Sequence, residues 1–172
     1  MNLNNNEIEK NPPEKEINFI LGLFNSNKFT EAENEANKQI IKYPKSSILY
    51  NILGAISAGK NNLQKAINYY EKSIKININY AQAYNNLGTA FHKLNKIEKA
   101  AINYEKAISL KKDFAEAYNN LGNAFVDLNK SKDSLQYFKK ALEFKPNYAE
   151  AYNGLGAANE KLGNKNDALK NY

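Results

Sequence analysis

Apolar residues return at spacings of three and four along most of the chain, and the polar breaks between them return at one fixed, longer interval. From residue 81, the positions Ala83, Tyr84, Leu87, Ala90, Phe91 and Leu94 mark one face of a helix. Asn95-Lys96 interrupts it, and Ile97, Ala100, Ala101, Tyr104, Ala107, Ile108 and Leu110 resume at helical spacing. The pairs Asn27-Lys28, Asn61-Asn62, Asn129-Lys130 and Gly163-Asn164 stand where the other turns should fall. Each unit is therefore predicted to be a helical hairpin. The step from Tyr84 to Tyr118 equals that from Tyr118 to Tyr152, and Gly88, Gly122 and Gly156 keep the same interval. A fixed period of that length predicts a stacked array of hairpins rather than one closed core, so function is expected on a surface and not in a pocket.

Within the period, residue size is patterned. Gly54, Gly88, Gly122 and Gly156 fall inside first helices, and Ala32, Ala66, Ala100 and Ala168 inside second helices, with Ser134 in place of the Ala once. A glycine inside a helix costs about 1 kcal/mol relative to alanine, so its recurrence calls for a close approach of two helices. The rings of Tyr70, Tyr104, Phe138 and Tyr172 stand four residues after the small position and are expected to fill the next layer. Pro44 and Pro146 follow second helices, where a proline stops a helix without removing a needed hydrogen bond.

The segments Tyr84-x-x-Leu87-Gly88-x-x-Phe91, Tyr118-x-x-Leu121-Gly122-x-x-Phe125 and Ala100-x-x-x-Tyr104 resemble the tetratricopeptide repeat, a helix-turn-helix unit with a period of about 34 residues. The register extends over units 13–46, 47–80, 81–114, 115–148 and 149–172, the last incomplete, after a tail of residues 1–12 expected to be disordered. The first unit departs from the pattern, with Ile20 at the glycine position and Ala36 at the ring position, and is expected to cap the array. The resemblance implies an all-α, right-handed α-solenoid whose first helices line a concave groove and whose second helices cover the outside. Leu87, Leu121 and Leu155 are then expected in the core, and Lys72, Lys106 and Lys140 on exposed outer helices. The chain stops at Tyr172 within a second helix, leaving Ala168, Leu169 and Tyr172 without a following unit. This suggests a piece of a longer array or larger protein, or an edge open to self-association.

Composition narrows the function classes. There is no Cys, hence no disulfide framework or thiolate metal site. Neither a signal-peptide core nor a membrane-length apolar stretch is present, so a cytoplasmic location is expected. The net charge of +6 comes from lysine alone, because the chain has no Arg. The planar guanidinium fork favoured for phosphate and guanine recognition is thus missing, and nucleic acid is not an expected partner. His92 is the one histidine. No Cys/His cluster, phosphate loop or nucleophile elbow occurs, so no catalytic residue, metal or cofactor is expected and the chain is read as non-enzymatic. The sequon Asn129-Lys130-Ser131 falls at a turn in a chain without a secretion signal.

The family's groove positions map onto Asn51 in the second unit, Gln82, Asn85, Asn86, Thr89 and Lys93 in the third, Glu116, Asn119, Asn120, Asn123 and Asp127 in the fourth, and Asn153 in the fifth. An Asn side chain offers an acceptor and two donors, so such a column suits the backbone of an extended peptide. Asn86 and Asn120 stand where the arrays of O-linked N-acetylglucosamine transferases, which this section resembles, carry an asparagine ladder; Ile52 and Gly154 interrupt it. The lysines or arginines of the carboxylate clamp that grips chaperone tails are missing, so an acidic tail is not an expected ligand. The expected function is a protein-interaction module holding an extended protein segment. The alternative is the substrate-recruiting array of a larger enzyme, such as a glycosyltransferase, sulfotransferase or oxygenase.

Overall fold

The computed structural model describes residues 11–165 and residue 168. Among them the chain forms nine α-helices and no strand: α1 (Glu14–Asn25), α2 (Phe29–Lys42), α3 (Ser47–Gly59), α4 (Leu63–Ile76), α5 (Ala81–Lys93), α6 (Ile97–Leu110), α7 (Ala115–Asp127), α8 (Ser131–Phe144) and α9 (Ala149–Lys161). The first helices α3, α5, α7 and α9 begin at Ser47, Ala81, Ala115 and Ala149, each one full repeat after the last, as the sequence period requires. Two compact units divide between Ile78 and Asn79, the first holding α1–α4 and the second α5–α9.

The turn inside each hairpin follows one design. Asn27, Asn61, Asn95 and Asn129 have φ between 56° and 59°, and Gly163 has φ 78°. Asn is one of the few side-chain-bearing residues that enters this left-handed region at low cost. It places two amides on the last carbonyls of the first helix. In the third hairpin Asn95 N–H donates to His92 C=O at 2.8 Å, and Lys96 N–H to Phe91 C=O at 2.9 Å. This is the paired closure that ends many helices in glycine, made here by asparagine four times of five. The Asn-rich composition thus has a local structural cause at these positions. Pro44 and Pro146 each lie one residue beyond a helix C-cap.

Packing inside the hairpins explains the size pattern. A Cβ on Gly88 would lie 2.7 Å from the Tyr104 ring, and one on Gly122 would lie 2.7 Å from the Phe138 ring. Tyr104 and Phe138 are buried, as are Leu87, Leu121 and Leu155, while Lys72, Lys106 and Lys140 are exposed. The first unit inverts the relation. Ile20 stands at the register of Gly122, Ile52 at that of Gly154 and Ala36 at that of Phe138, and all three belong to one buried cluster. Two large aliphatics and a small residue fill the layer that Phe138, flanked by Gly122 and Gly154, fills in the second unit.

The expected disordered tail is corrected at its inner end. Pro12 is buried, and Asn11 Oδ1 accepts from the Ser46 hydroxyl at 2.8 Å, so both residues are part of the first unit. Ser46 Oγ in turn accepts from Leu49 N–H as the N-cap of α3, which gives Asn11 a fixed partner. Residues 1–10 lie outside the described residues, as do Leu169 and Tyr172, on which the expectation of an open edge rests.

Candidate functional site

In the second unit α5 contacts α7 and α7 contacts α9, so three first helices lie side by side and present one face. The groove positions split on that face into two columns of different character. Asn85 is fully buried and Asn119 is 4% exposed. Asn86 and Asn120 are half-buried, as are Gln82, Thr89 and Asn123, while Lys93, Glu116, Asp127 and Asn153 are exposed. Asn51, on α3 of the first unit, is buried and already bonded.

The buried column joins helices rather than facing outward. Asn85 Nδ2 donates to Glu116 Oε1 at 3.2 Å, and Asn120 Nδ2 donates to Asn85 Oδ1 at 3.0 Å. The Thr89 hydroxyl donates to the Asn85 carbonyl at 3.1 Å and accepts from the Tyr104 hydroxyl at 3.4 Å. Gln82 Nε2 donates to Asn86 Oδ1 at 3.1 Å, one turn along the same helix. Burial pushes the Tyr104 phenol up to about 12, opposed by the Thr89 bond and reinforced by the Glu116 charge. Tyr148, at the start of α9, is likewise pushed up by burial, then by Glu116 and Glu150.

Two further links between first helices escape a reading in whole repeats. His92 Nε2 lies 2.9 Å from Asp127 Oδ2, and Lys161 Nζ donates to the Val126 carbonyl at 3.3 Å. Like Asn85 with Asn120, each joins residues i and i+35. A side chain on one first helix meets its neighbour one residue past the repeat, a signal visible only when the sequence is searched at that offset. His92, the one histidine, is half-buried against α7.

The rung between Asn85 and Asn120 does not recur between α7 and α9. Asn119 occupies the position of Asn85 in the next repeat, and the residue in the place of Asn120 is Gly154. Asn119 Oδ1 is buried with no hydrogen-bond partner among the described residues. A Cβ on Gly154 would overlap the Phe138 ring, so a side chain that could donate to Asn119 is excluded there.

In the first unit the densest charge group is Glu33, which accepts from Lys60 at 2.7 Å and Lys65 at 2.6 Å. Those two bonds hold its carboxyl below the usual range. Glu31, by contrast, is exposed, and its 3.7 Å pair with Lys28 lies within one turn. Among the described residues no group of three or more His, Asp or Glu side chains could hold a metal ion, and no helix is long and apolar enough to cross a membrane.

Comparisons with known proteins agree with this architecture. The chain is similar to the solved structure of pilF from Pseudomonas aeruginosa, with TM-score 0.85 and 19% identity over 92% of this chain and 72% of that one. It is similar to MamA from Desulfovibrio magneticus RS-1, with TM-score 0.78 and 18% identity over 92% and 89% of the two chains. It is also similar to YrrB, a TPR protein described as having an unusual peptide-binding site, with TM-score 0.70 and 21% identity over 96% and 84%. At these identities the likeness concerns the fold. No curated protein matches. The family pattern described as TPR repeat matches residues 58–95, 88–129 and 122–163. Residue spacing, hairpin packing and the family match together show that the chain belongs to the tetratricopeptide repeat family.

Proposed function

We propose that the protein is a non-catalytic interaction module whose first-helix face in the second unit binds an extended segment of another protein. The observation that carries this reading is the half-exposed polar column of Asn86, Asn120 and Asn123 on adjacent helices, beside a buried column that fixes the helices in place. A face held in place by bonds between its helices can receive a segment without rearranging, which lowers the entropic cost of binding. The fold likeness to a protein whose description names a peptide-binding site supports the same reading. The likeness to the asparagine ladder of O-linked N-acetylglucosamine transferases rests on Asn86 and Asn120 and is part of this proposal.

Peptide affinity in such a mode comes from several weak bonds, each contributing about 0.5–1.5 kcal/mol, so a ligand spanning all three helices is expected. The test is selection of a random-sequence peptide library on the purified chain, followed by amide-exchange mapping of the chain with the selected peptide bound. Protection concentrated in α5, α7 and α9 is the expected result. Protection confined to α6 and α8 would place the working surface on the second helices.

A further inference from the structure

One helix start in the first unit departs from its register equivalents. Where Tyr80, Phe114 and Tyr148 precede α5, α7 and α9, Ser46 precedes α3, and the alanines that open those helices give way to Ser47. Phe114 and Tyr148 are buried rings, and α3 has no ring at that position. Lys45 stands where the same register holds Asn79, Asp113 and Asn147. Beside this start lies a cleft of about 310 Å³, lined by Asn11, Lys45, Ser47, Ile76 and Asn77. Its lining residues include one cation and no carboxylate.

Donors are in excess there. In the first turn of α3 the Leu49 N–H donates to Ser46 Oγ and the Tyr50 N–H to the Ser46 carbonyl, whereas the Ser47 and Ile48 amides have no acceptor among the described residues. Open amides are common to helix starts and by themselves mark no site. Ser47 adds an independent sign. It is 7% exposed and its carbonyl is held by the Ser73 hydroxyl at 2.7 Å, yet its own hydroxyl has no hydrogen bond among the described residues. A serine at a helix start ordinarily caps a backbone amide, and Ser46 already does so here. The Ser47 hydroxyl is a nearly buried donor left to the cleft that Ser47 lines, and buried polar groups are rarely left without a partner. Lys45 joins no ion pair among the described residues.

We propose that this cleft binds a phosphate group, held by the open start of α3, the Ser47 hydroxyl and the Lys45 ammonium. The helix end contributes partial positive charge and converging N–H groups, the lysine a full charge, and the hydroxyl gains the bond that it lacks. A cation would instead meet a lysine and a helix end of its own sign. The site belongs to the first unit and does not depend on the interaction-module reading. Inorganic phosphate and a phosphorylated side chain present the same chemistry to it.

The test is amide NMR of the isotope-labelled full chain, titrated with inorganic phosphate at constant ionic strength, with chloride in the control. Saturating shifts of the Ser47 and Ile48 amides are expected, without matching shifts at Ala81, Gln82, Ala115, Glu116, Ala149 and Glu150, which hold the same positions on the other first helices. Ser47→Ala restores the residue found at those other starts, and Lys45→Asn the residue that precedes α5 and α9 in the same register. The first should weaken binding by about threefold and the second by roughly tenfold. A parallel titration with O-phosphoserine separates the sources: tighter binding of the ester assigns the cleft to a phosphorylated residue, and tighter binding of the free ion assigns it to phosphate itself. Shifts that are absent from α3, shared equally by the other helix starts, or unchanged in both variants overturn the site. The comparison among helix starts uses the wild type alone, so it decides the matter even where a variant melts early.

Discussion

Phe138 lies against Gly154 so closely that a methyl group on residue 154 would overlap the ring, which is also bounded by Gly122. The ring is fully buried and cannot swing aside. In the first unit the corresponding pair is Ala36 with Ile52, the same layer filled with the sizes exchanged. The glycines are therefore set by the ring and not by backbone freedom.

Gly122→Ala should accordingly destabilise the protein by about 1–3 kcal/mol, because overpacking exceeds the roughly 1 kcal/mol that alanine adds to helix propensity. Gly22→Ala, on α1 with nothing within 4 Å of its added Cβ, should instead stabilise by up to about 1 kcal/mol. Urea unfolding of the two variants compares them directly, and shifts of the same sign would contradict this account.

The buried amide of Asn85 serves two partners on α7, while Asn153, in the same register, is exposed. Asn85→Ala should cost about 1–3 kcal/mol from the groups it leaves unpaired, and Asn153→Ala should fall within about 0.5 kcal/mol of the wild type. Thermal melts followed at a helical wavelength would distinguish them.

The left-handed turn makes a different demand. At Asn95, with φ 56°, alanine should cost about 1–2 kcal/mol, whereas glycine should be close to neutral. If alanine and glycine are equally tolerated, the turn does not hold the conformation described.

Alkaline stability follows from the buried phenols. Burial raises both Tyr70 and Tyr104, the latter to about 12, above the ordinary value of 10. The unfolded chain releases these protons first, so stability present below about pH 10 is lost as pH rises toward 12. Tyr70→Phe/Tyr104→Phe should flatten that loss, as phenylalanine already fills the position at residue 138. Circular dichroism between pH 9 and 12 gives the readout, and an unchanged alkaline midpoint would remove the phenols as its cause.

The sequence by itself determined the hairpins, their repeat phase, the turn positions and the core leucines. Those features rest on local periodicity, on the backbone preferences of Asn, Gly and Pro, and on helix faces that repeat in strict register. It also marked the polar face of the first helices, because the same positions recur in each unit. What it left undivided was that face itself. Only the packed structure separates Asn85, which joins two helices, from Asn86, half-exposed one residue on, since a single step along a helix turns a side chain by about a quarter of a circle. The partners at i+35, the inverted packing of Ile20, Ala36 and Ile52, and the stranded carbonyl of Asn119 likewise depend on what the neighbouring helix places opposite each residue. That is a property of the contact between helices, carried by no single repeat.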